Sequence, residues 1–290
     1  MCGRYVCWLA AEGLCDAARF RRGKRTYSAS WYNDSMKSAY RPSYNRSPGS
    51  AAAVLVSSDG LANEPVRETS DQQMSLLLVQ MDWGVEPSWS GAQHDHPIIN
   101  ARAESIVSKP FFKQSVARGR RCVVLTQGFY EWQKTSSGKQ PYFIYMPTSS
   151  DEESKGESNV ERNCKLMPLA GLYFPQKEKN TGCSFAFVII TVDAVPSIDF
   201  IHDRMPAILD TDEAVLDWLD CEQFDSDEVV KYLRPCQLLS YHSVSKRVNG
   251  STYDDSQNIQ PFQEGNCSGE RAKRQASLKS FFSPKKEKLA

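Results

Sequence analysis

Cys2 follows Met1 directly in Met-Cys-Gly-Arg, and a small second side chain invites removal of the methionine. Trimming leaves Cys2 with a free α-amine and a thiol on adjacent carbons. No internal cysteine offers that pair, because its nitrogen is locked in an amide. A chain α-amine has a pKa of roughly 7.7–8.0, against roughly 10.4 for lysine, so a useful fraction is neutral and nucleophilic near pH 7. The thiol, with an unperturbed pKa of about 8.5, is also open to activation. Such a 1,2-aminothiol captures an aldehyde as an imine and then closes a five-membered thiazolidine. Because the closure is intramolecular, it costs little entropy. The plainer reading of the same residue is an untidy chain start with no role.

Three other segments carry more polar punctuation than a core strand needs: Asn100-Ala-Arg102-Ala-Glu104, Gly128-Phe-Tyr-Glu131-Trp132 and His202-Asp203-Arg204-Met205-Pro206. The second follows directly on an expected strand at 123–126, and the third follows one at 184–192 and its short loop. A carboxylate and an imidazole at strand ends are where a rigid scaffold presents working groups. Taken singly, each has an ordinary alternative. Glu131 reads equally as an edge carboxylate, His202 as a satisfied loop histidine, Asn100 as a turn residue and Arg102 as an ion-pair partner.

The elements that must carry these groups are short. Apolar, β-branched runs at 51–56, 74–81, 121–126, 141–146, 167–174, 184–192 and 237–244 predict strands separated by turn-rich segments. Helix signals are fewer: Thr211 or Asp212 caps a helix over 214–219, Ser226 caps another over 229–233, and a third falls near 10–20. The sum is a β-dominated α+β domain without the βαβ alternation of a parallel sheet. Residues 21–38, basic and aromatic, read as a surface excursion, and the acidic low-complexity stretch 148–163 reads as a disordered insert. From about Gly250 the chain reads as a polar tail, which from Asn266 onward holds seven Lys/Arg against two Glu.

Composition narrows the classes. The 290 residues suffice for one large domain, and 35 basic against 35 acidic side chains leave no global field for nucleic acid, so any such site must be local. Nine scattered cysteines without a C-x-x-C pair argue against a disulfide framework or a zinc ribbon and for a reducing compartment, cytosolic or nuclear. His94-Asp-His96 lacks a third ligand at a sensible spacing, so neither a metal nor a cofactor is expected. No apolar run of about 18 residues predicts a membrane span.

Six motifs, taken in order, resemble the SOS response-associated peptidase (SRAP) family: Cys2-Gly3-Arg4-Tyr5; Pro42-Ser-Tyr-Asn45-Arg-Ser-Pro48; Trp83-Gly84 with Pro87-Ser-Trp89; and the Asn100, Gly128 and His202 segments above. The resemblance runs over about 2–248 and implies one SRAP domain with a mostly antiparallel, barrel-like sheet, followed by a disordered tail at 249–290. It also implies binding of abasic sites in single-stranded DNA, whose ring-opened sugar exposes an aldehyde. The terminal Cys2 joins that aldehyde in a thiazolidine cross-link that protects the lesion during replication-coupled repair. By the same resemblance, Asn100 orients the Cys2 amine or the sugar, Glu131 is the general acid/base, and His202 stabilises the opened sugar's hydroxyl. Arg4 and Arg102 would contact phosphates, Trp132 and Pro48 would wedge or stack against bases, and Trp83 is a weaker stacking candidate. The family's name also implies a peptidase, but here only Met1 precedes Cys2.

The tail holds Gln275-Ala-Ser-Leu278-Lys-Ser-Phe281-Phe282. On a 3₁₀ turn, Leu278, Phe281 and Phe282 form one apolar plug with Gln275 hydrogen-bonding alongside. This resembles the box that docks on the sliding clamp, proliferating cell nuclear antigen, and places the chain in the nucleus at replication forks, as a monomer. Two rivals stand beside these readings. An N-terminal-nucleophile glutamine amidotransferase also begins Met-Cys-Gly, but the only Asn-Gly here is Asn249-Gly250, at the domain's end. A non-covalent reader of damaged or modified DNA would use the same groove without the chemistry.

Overall fold

The computed structural model describes residues 2–62, 74–86, 96–148, 160–176 and 183–262. Its strands are β1 (Tyr5–Cys7), β2 (Arg19–Arg22), β3 (Arg25–Trp31), β4 (Ser43–Arg46), β5 (Ala51–Ser57), β6 (Leu76–Trp83) and β7 (Asn100–Arg102). They continue with β8 (Arg121–Thr126), β9 (Gly128–Thr135), β10 (Gly138–Tyr145), β11 (Met167–Pro175), β12 (Phe185–Asp193), β13 (Arg204–Pro206) and β14 (Ser240–Ser243). The α-helices are α1 (Ala11–Ala17), α2 (Asp34–Ala39), α3 (Ser58–Ala62), α4 (Pro110–Ala117), α5 (Asp212–Leu219) and α6 (Ser226–Val229).

Five strands close on themselves in the order β5-β6-β12-β11-β8 and back to β5. Four of the five seams are antiparallel, and β6–β12 is parallel. These strands carry the longest unbroken apolar runs, such as Leu76–Val79 and Ala186–Ile190, and β6, β8 and most of β5, β11 and β12 are buried along their length. Continuous rather than alternating apolar residues are what a strand covered on both faces requires. Gly171 permits one tight crossing, since a Cβ there would stand 2.9 Å from both Cys122 Sγ and the Val188 carbonyl.

The second sheet, β14-β10-β9-β1-β4, is antiparallel throughout and holds its own apolar cluster of Val6, Tyr130, Phe143, Val160, Val244, Val248 and Ile259. One residue, Gln127, separates β8 of the ring from β9 of this sheet. At that corner Gly128 N–H donates to Thr126 Oγ1 at 3.0 Å, and Gln127 N–H donates to the Val6 carbonyl at 3.0 Å. Position 128 cannot carry a side chain, because a Cβ would lie 2.3 Å from the Phe143 ring. The corner thus pins β9, and with it Glu131, against β1.

Three expectations are corrected. Residues 21–38 form no loose excursion: β2 and β3 make a hairpin, β3 runs parallel to β6 through Ala29↔Leu76, and α2 follows with Asn33 Oδ1 capping Met36 N–H at 2.8 Å. The outward arginines of this edge hairpin hid the inward Phe20 and Ala29, and charged edge strands are a common defence against mispairing. The cap of α6 is Asp225 rather than Ser226, in a capping box with Glu228, and the helix passes into a 3₁₀ turn at Val230. The packed chain also extends beyond 248 to Phe262. Asn258 and Ile259 are wholly buried, and the Asn45 amide donates to the carbonyls of Val248, Gly250 and Tyr253 at 3.3, 2.9 and 2.7 Å. Of the acidic insert, Val160–Asn163 forms a 3₁₀ turn with Val160 buried, while 149–159 lie outside the described residues. The clamp-type box at Gln275, Leu278, Phe281 and Phe282 also lies outside them.

Candidate active site

The segment before β1 continues alongside β9, where Tyr130 N–H donates to the Arg4 carbonyl at 2.9 Å. β1 is the strand between β4 and β9, so the chain start enters the sheet from within rather than at an edge. Cys2 is wholly buried there. Its carbonyl accepts a 2.8 Å hydrogen bond from Asn100 Nδ2. Asn100 opens β7, which pairs in parallel with Ile189 of β12. Two sequence motifs nearly a hundred residues apart are thereby joined at one atom pair. Asn100 Oδ1 is buried and makes no hydrogen bond among the described residues.

Glu131 lies on β9, 3% exposed, directly across from Tyr142 of β10. Burial pushes its carboxyl up to about 7, a rise that the positive chain terminus partly offsets. The Cys2 thiol is pushed far above its ordinary range, first by burial and second by the charge of Glu131. The thiol therefore sits in the field of Glu131. A thiol so held is not a standing thiolate, whereas a carboxyl near 7 can both give and take a proton at neutral pH.

His202 closes the turn that leads into β13, and its ring is half-buried. Arg204 N–H donates to Nδ1 at 3.0 Å, so the neutral ring carries its proton on Nε2. The Asp203 carboxylate stands 2.7 Å from the same Nδ1 and would accept a hydrogen bond from it if the ring became cationic. Burial, followed by the positive terminus, draws the imidazole below its usual range despite Asp203, which favours the neutral form.

The sequence motifs contained two residues whose task was not assigned. Arg204 is 8% exposed and donates from Nη1 to Glu104 Oε1 at 2.9 Å, from Nη2 to Glu104 Oε2 at 3.1 Å and from Nη2 to the Thr191 carbonyl at 2.6 Å. Its Nη1 also meets Asp193 Oδ1 at 2.5 Å. One guanidinium thus ties the exit of β7 to β12 and β13, fixing the Asn100 strand relative to His202. The bidentate geometry is one that only arginine supplies. An Arg two residues after His202 and a Glu four after Asn100 were the signal.

The expected DNA-contacting residues separate. Arg4 donates from Nη1 to Asn45 Oδ1 at 2.7 Å and to the Val248 carbonyl at 3.1 Å, with its guanidinium 6.0 Å from the Trp132 ring centre. Trp132, half-buried, donates from Nε1 to Asn249 Oδ1 at 2.7 Å. Arg102 is exposed at the end of β7, and Pro48 is half-buried in the β4–β5 turn. Trp83 requires correction, because it is wholly buried. Its Nε1 donates to the Ile99 carbonyl at 3.1 Å, and its ring packs against Tyr5 and Phe187, so it has no face for a base. It supports the residue before Asn100 instead.

The SOS response-associated peptidase family model matches residues 1–251. The chain belongs to the SRAP family. Among relatives of this SRAP chain, the "Abasic site processing protein HMCES" of Gallus gallus is 37% identical over 276 residues, covering 91% of this chain and 79% of that one. The protein of the same name from Mus musculus is 37% identical over 268 residues, covering 87% and 73%. The "Abasic site processing protein YoqW" of Bacillus subtilis is 29% identical over 214 residues, covering 72% and 82%. A solved structure from Bacteroides thetaiotaomicron shares the SRAP chain's fold with a TM-score of 0.62, at 22% identity, over 90% of this chain and all of that one.

Proposed function

We propose that this chain captures abasic sites in single-stranded DNA by forming a thiazolidine between Cys2, once Met1 is removed, and the aldehyde of the opened sugar. The observation that carries the reading is the convergence of Cys2, Asn100 and Glu131, with Glu131 poised near neutrality. The names of its relatives support an abasic site as the lesion. As the C1–O bond of the sugar breaks, Glu131 carries the C1 hydroxyl proton to the ring oxygen, and neutral His202 donates a hydrogen bond from Nε2 to the hydroxyl so formed. The uncharged α-amine of Cys2 then adds to the aldehyde carbon, held in line by the Asn100–carbonyl bond. Protonated Glu131 gives its proton to the carbinolamine hydroxyl, which leaves as water and yields the imine protonated on nitrogen. The thiol next passes its proton to the Glu131 carboxylate and adds to the imine carbon. The nitrogen keeps its proton as the ring closes to a neutral thiazolidine, Glu131 ends protonated as it began, and one water is lost overall.

Because the thiol is held protonated, the amine attacks first and the sulfur only traps the imine. Arg102 and Arg4 would hold phosphates, and Trp132 and Pro48 the neighbouring bases. The deciding experiment incubates the Met1-free protein with a single-stranded oligonucleotide bearing one abasic site and seeks a heat-stable band on a denaturing gel. Cys2→Ala should abolish the band, and a band of equal strength from that variant would sink the proposal. For location and partners we infer nuclear action at replication forks through the 275–282 box. Replacing both Phe281 and Phe282 by Ala should end retention on immobilised sliding clamp, and unchanged retention would reject that role.

A further inference from the structure

Bulky apolar side chains are rarely exposed in the described residues, yet Phe200 and Tyr241 are 44% and 41% exposed. They are not scattered. With Tyr142 they form a closed triangle of rings: Tyr142–Phe200 at 5.8 Å, Tyr142–Tyr241 at 6.1 Å and Phe200–Tyr241 at 5.4 Å, with interplanar angles of 89°, 66° and 60°. Edge-to-face packing of this kind holds each ring in place while leaving outer faces bare.

The triangle adjoins the chemistry. Tyr142 is paired directly with Glu131 across β9 and β10, which puts the two side chains on one face of the sheet. Its hydroxyl donates to Gln133 Oε1 at 3.2 Å, the next residue on that face. Tyr241 is the diagonal neighbour of Tyr142 on β14, where Ser243 is the direct partner. Phe200 and His202 share one turn, closed by Ile201 N–H and His202 N–H on the Ile198 carbonyl at 2.9 and 3.3 Å. Trp132 follows Glu131 in sequence and so points to the opposite face of β9. The aromatic surface on the face of Glu131 is therefore this triangle, not Trp132.

We propose that Tyr142, Phe200 and Tyr241 form a docking platform for the unpaired nucleobase on one side of the abasic sugar, Trp132 and Pro48 serving the other side, a role that rests on the function proposed above. A strand whose baseless sugar lies between Glu131 and His202 must pass one neighbouring nucleotide over this wall. Every base has a π-face, so stacking there is indifferent to sequence, as a lesion found in any context requires. The three rings carry no charge, and the Tyr142 hydroxyl is already committed to Gln133, so the surface suits a base face better than a phosphate. Flat ring faces suit a flat heterocycle better than an aliphatic side chain.

The test measures equilibrium affinity for single strands carrying a tetrahydrofuran abasic analogue, which lacks the aldehyde and cannot cross-link. One strand keeps bases on both flanking nucleotides, and the other replaces both flanks with further tetrahydrofuran. Phe200→Ala and, separately, Tyr241→Ala should bind the base-bearing strand about 5- to 150-fold more weakly than wild type, the range expected for one stacked base. Both should match wild type on the base-free strand, with unchanged melting midpoints. Undiminished affinity for the base-bearing strand, or an equal loss on both strands, overturns the platform; the first result would leave an apolar protein partner as its occupant. A wild-type protein that binds these strands but fails to cross-link a true abasic site would refute only the covalent reading. One that binds neither strand refutes both.

Discussion

Cys2 and Glu131 are each costly to bury alone, and the cost to Glu131 can be measured. Its raised pKa means that the folded protein holds this proton more tightly than the unfolded chain does. The penalty is therefore absent below about 4.5, grows as pH rises, and is complete above about 7. At roughly 1.36 kcal/mol per pKa unit, the full cost is about 3 kcal/mol. Glu131→Gln should thus be more stable than wild type at pH 8, by up to about 3 kcal/mol in denaturant unfolding, and gain little at pH 4. A wild-type-to-variant gap that stays constant between those pH values would remove the perturbed ionisation. The same substitution should erase an inflection near pH 7 in the rate of cross-linking, since the glutamine can neither give nor accept the proton. Under the proposed function, stability is given up at Glu131 for reactivity. Asn100 shows the opposite economy: its donor is used on the Cys2 carbonyl, while its buried acceptor faces no protein donor among the described residues.

Among elements, β7 and β13 are three residues each, too short to hold Asn100 and His202 by ladder bonds alone. Arg204 supplies the missing rigidity. Arg204→Met should cost only about 1–2 kcal/mol, because Glu104 and Asp193 are largely exposed and can rehydrate. A drop of a few degrees in melting midpoint would accompany it. Cross-linking should fall much further than stability, with the His202 ring resonances shifted in NMR spectra. Unmoved His202 resonances would show that the clamp does not position the imidazole. These elements also show what was legible in the sequence. β8 matched its expected bounds, since an unbroken apolar run ends at the Gln127-Gly128 corner. Cys2 stood out by its adjacent amine and thiol, and Asn100, Glu131 and His202 as polar residues beside apolar runs, although Glu131 lies within β9 rather than at a strand end. β3 was invisible, because its outward face is polar and basic and its partner is β6, some fifty residues away. Trp83 was misplaced for a related reason: a tryptophan before a glycine looks the same whether its ring meets a base or Phe187.

For the molecule as a whole, the domain boundary decides stability. Residues 249–262 return to the second sheet, burying Ile259 and Asn258 and bridging Val244 to Pro261. A chain ending at Val248 should lose several kcal/mol relative to one ending at Phe262, since a buried Ile alone is worth about 2–5 kcal/mol on removal. Equal melting midpoints would return those residues to the tail. The closed ring and the second sheet also order events in time. β1 pairs with β9, and the Val6 carbonyl meets residues about 120 positions further on. At about 5–20 residues per second, a ribosome needs roughly 6–25 s to deliver that partner. During that interval β1 has no β9 to pair with. Once β9 arrives, Cys2 is sealed in the sheet. Under the function proposed above, trimming ahead of Cys2 would have to precede the pairing of β1 with β9.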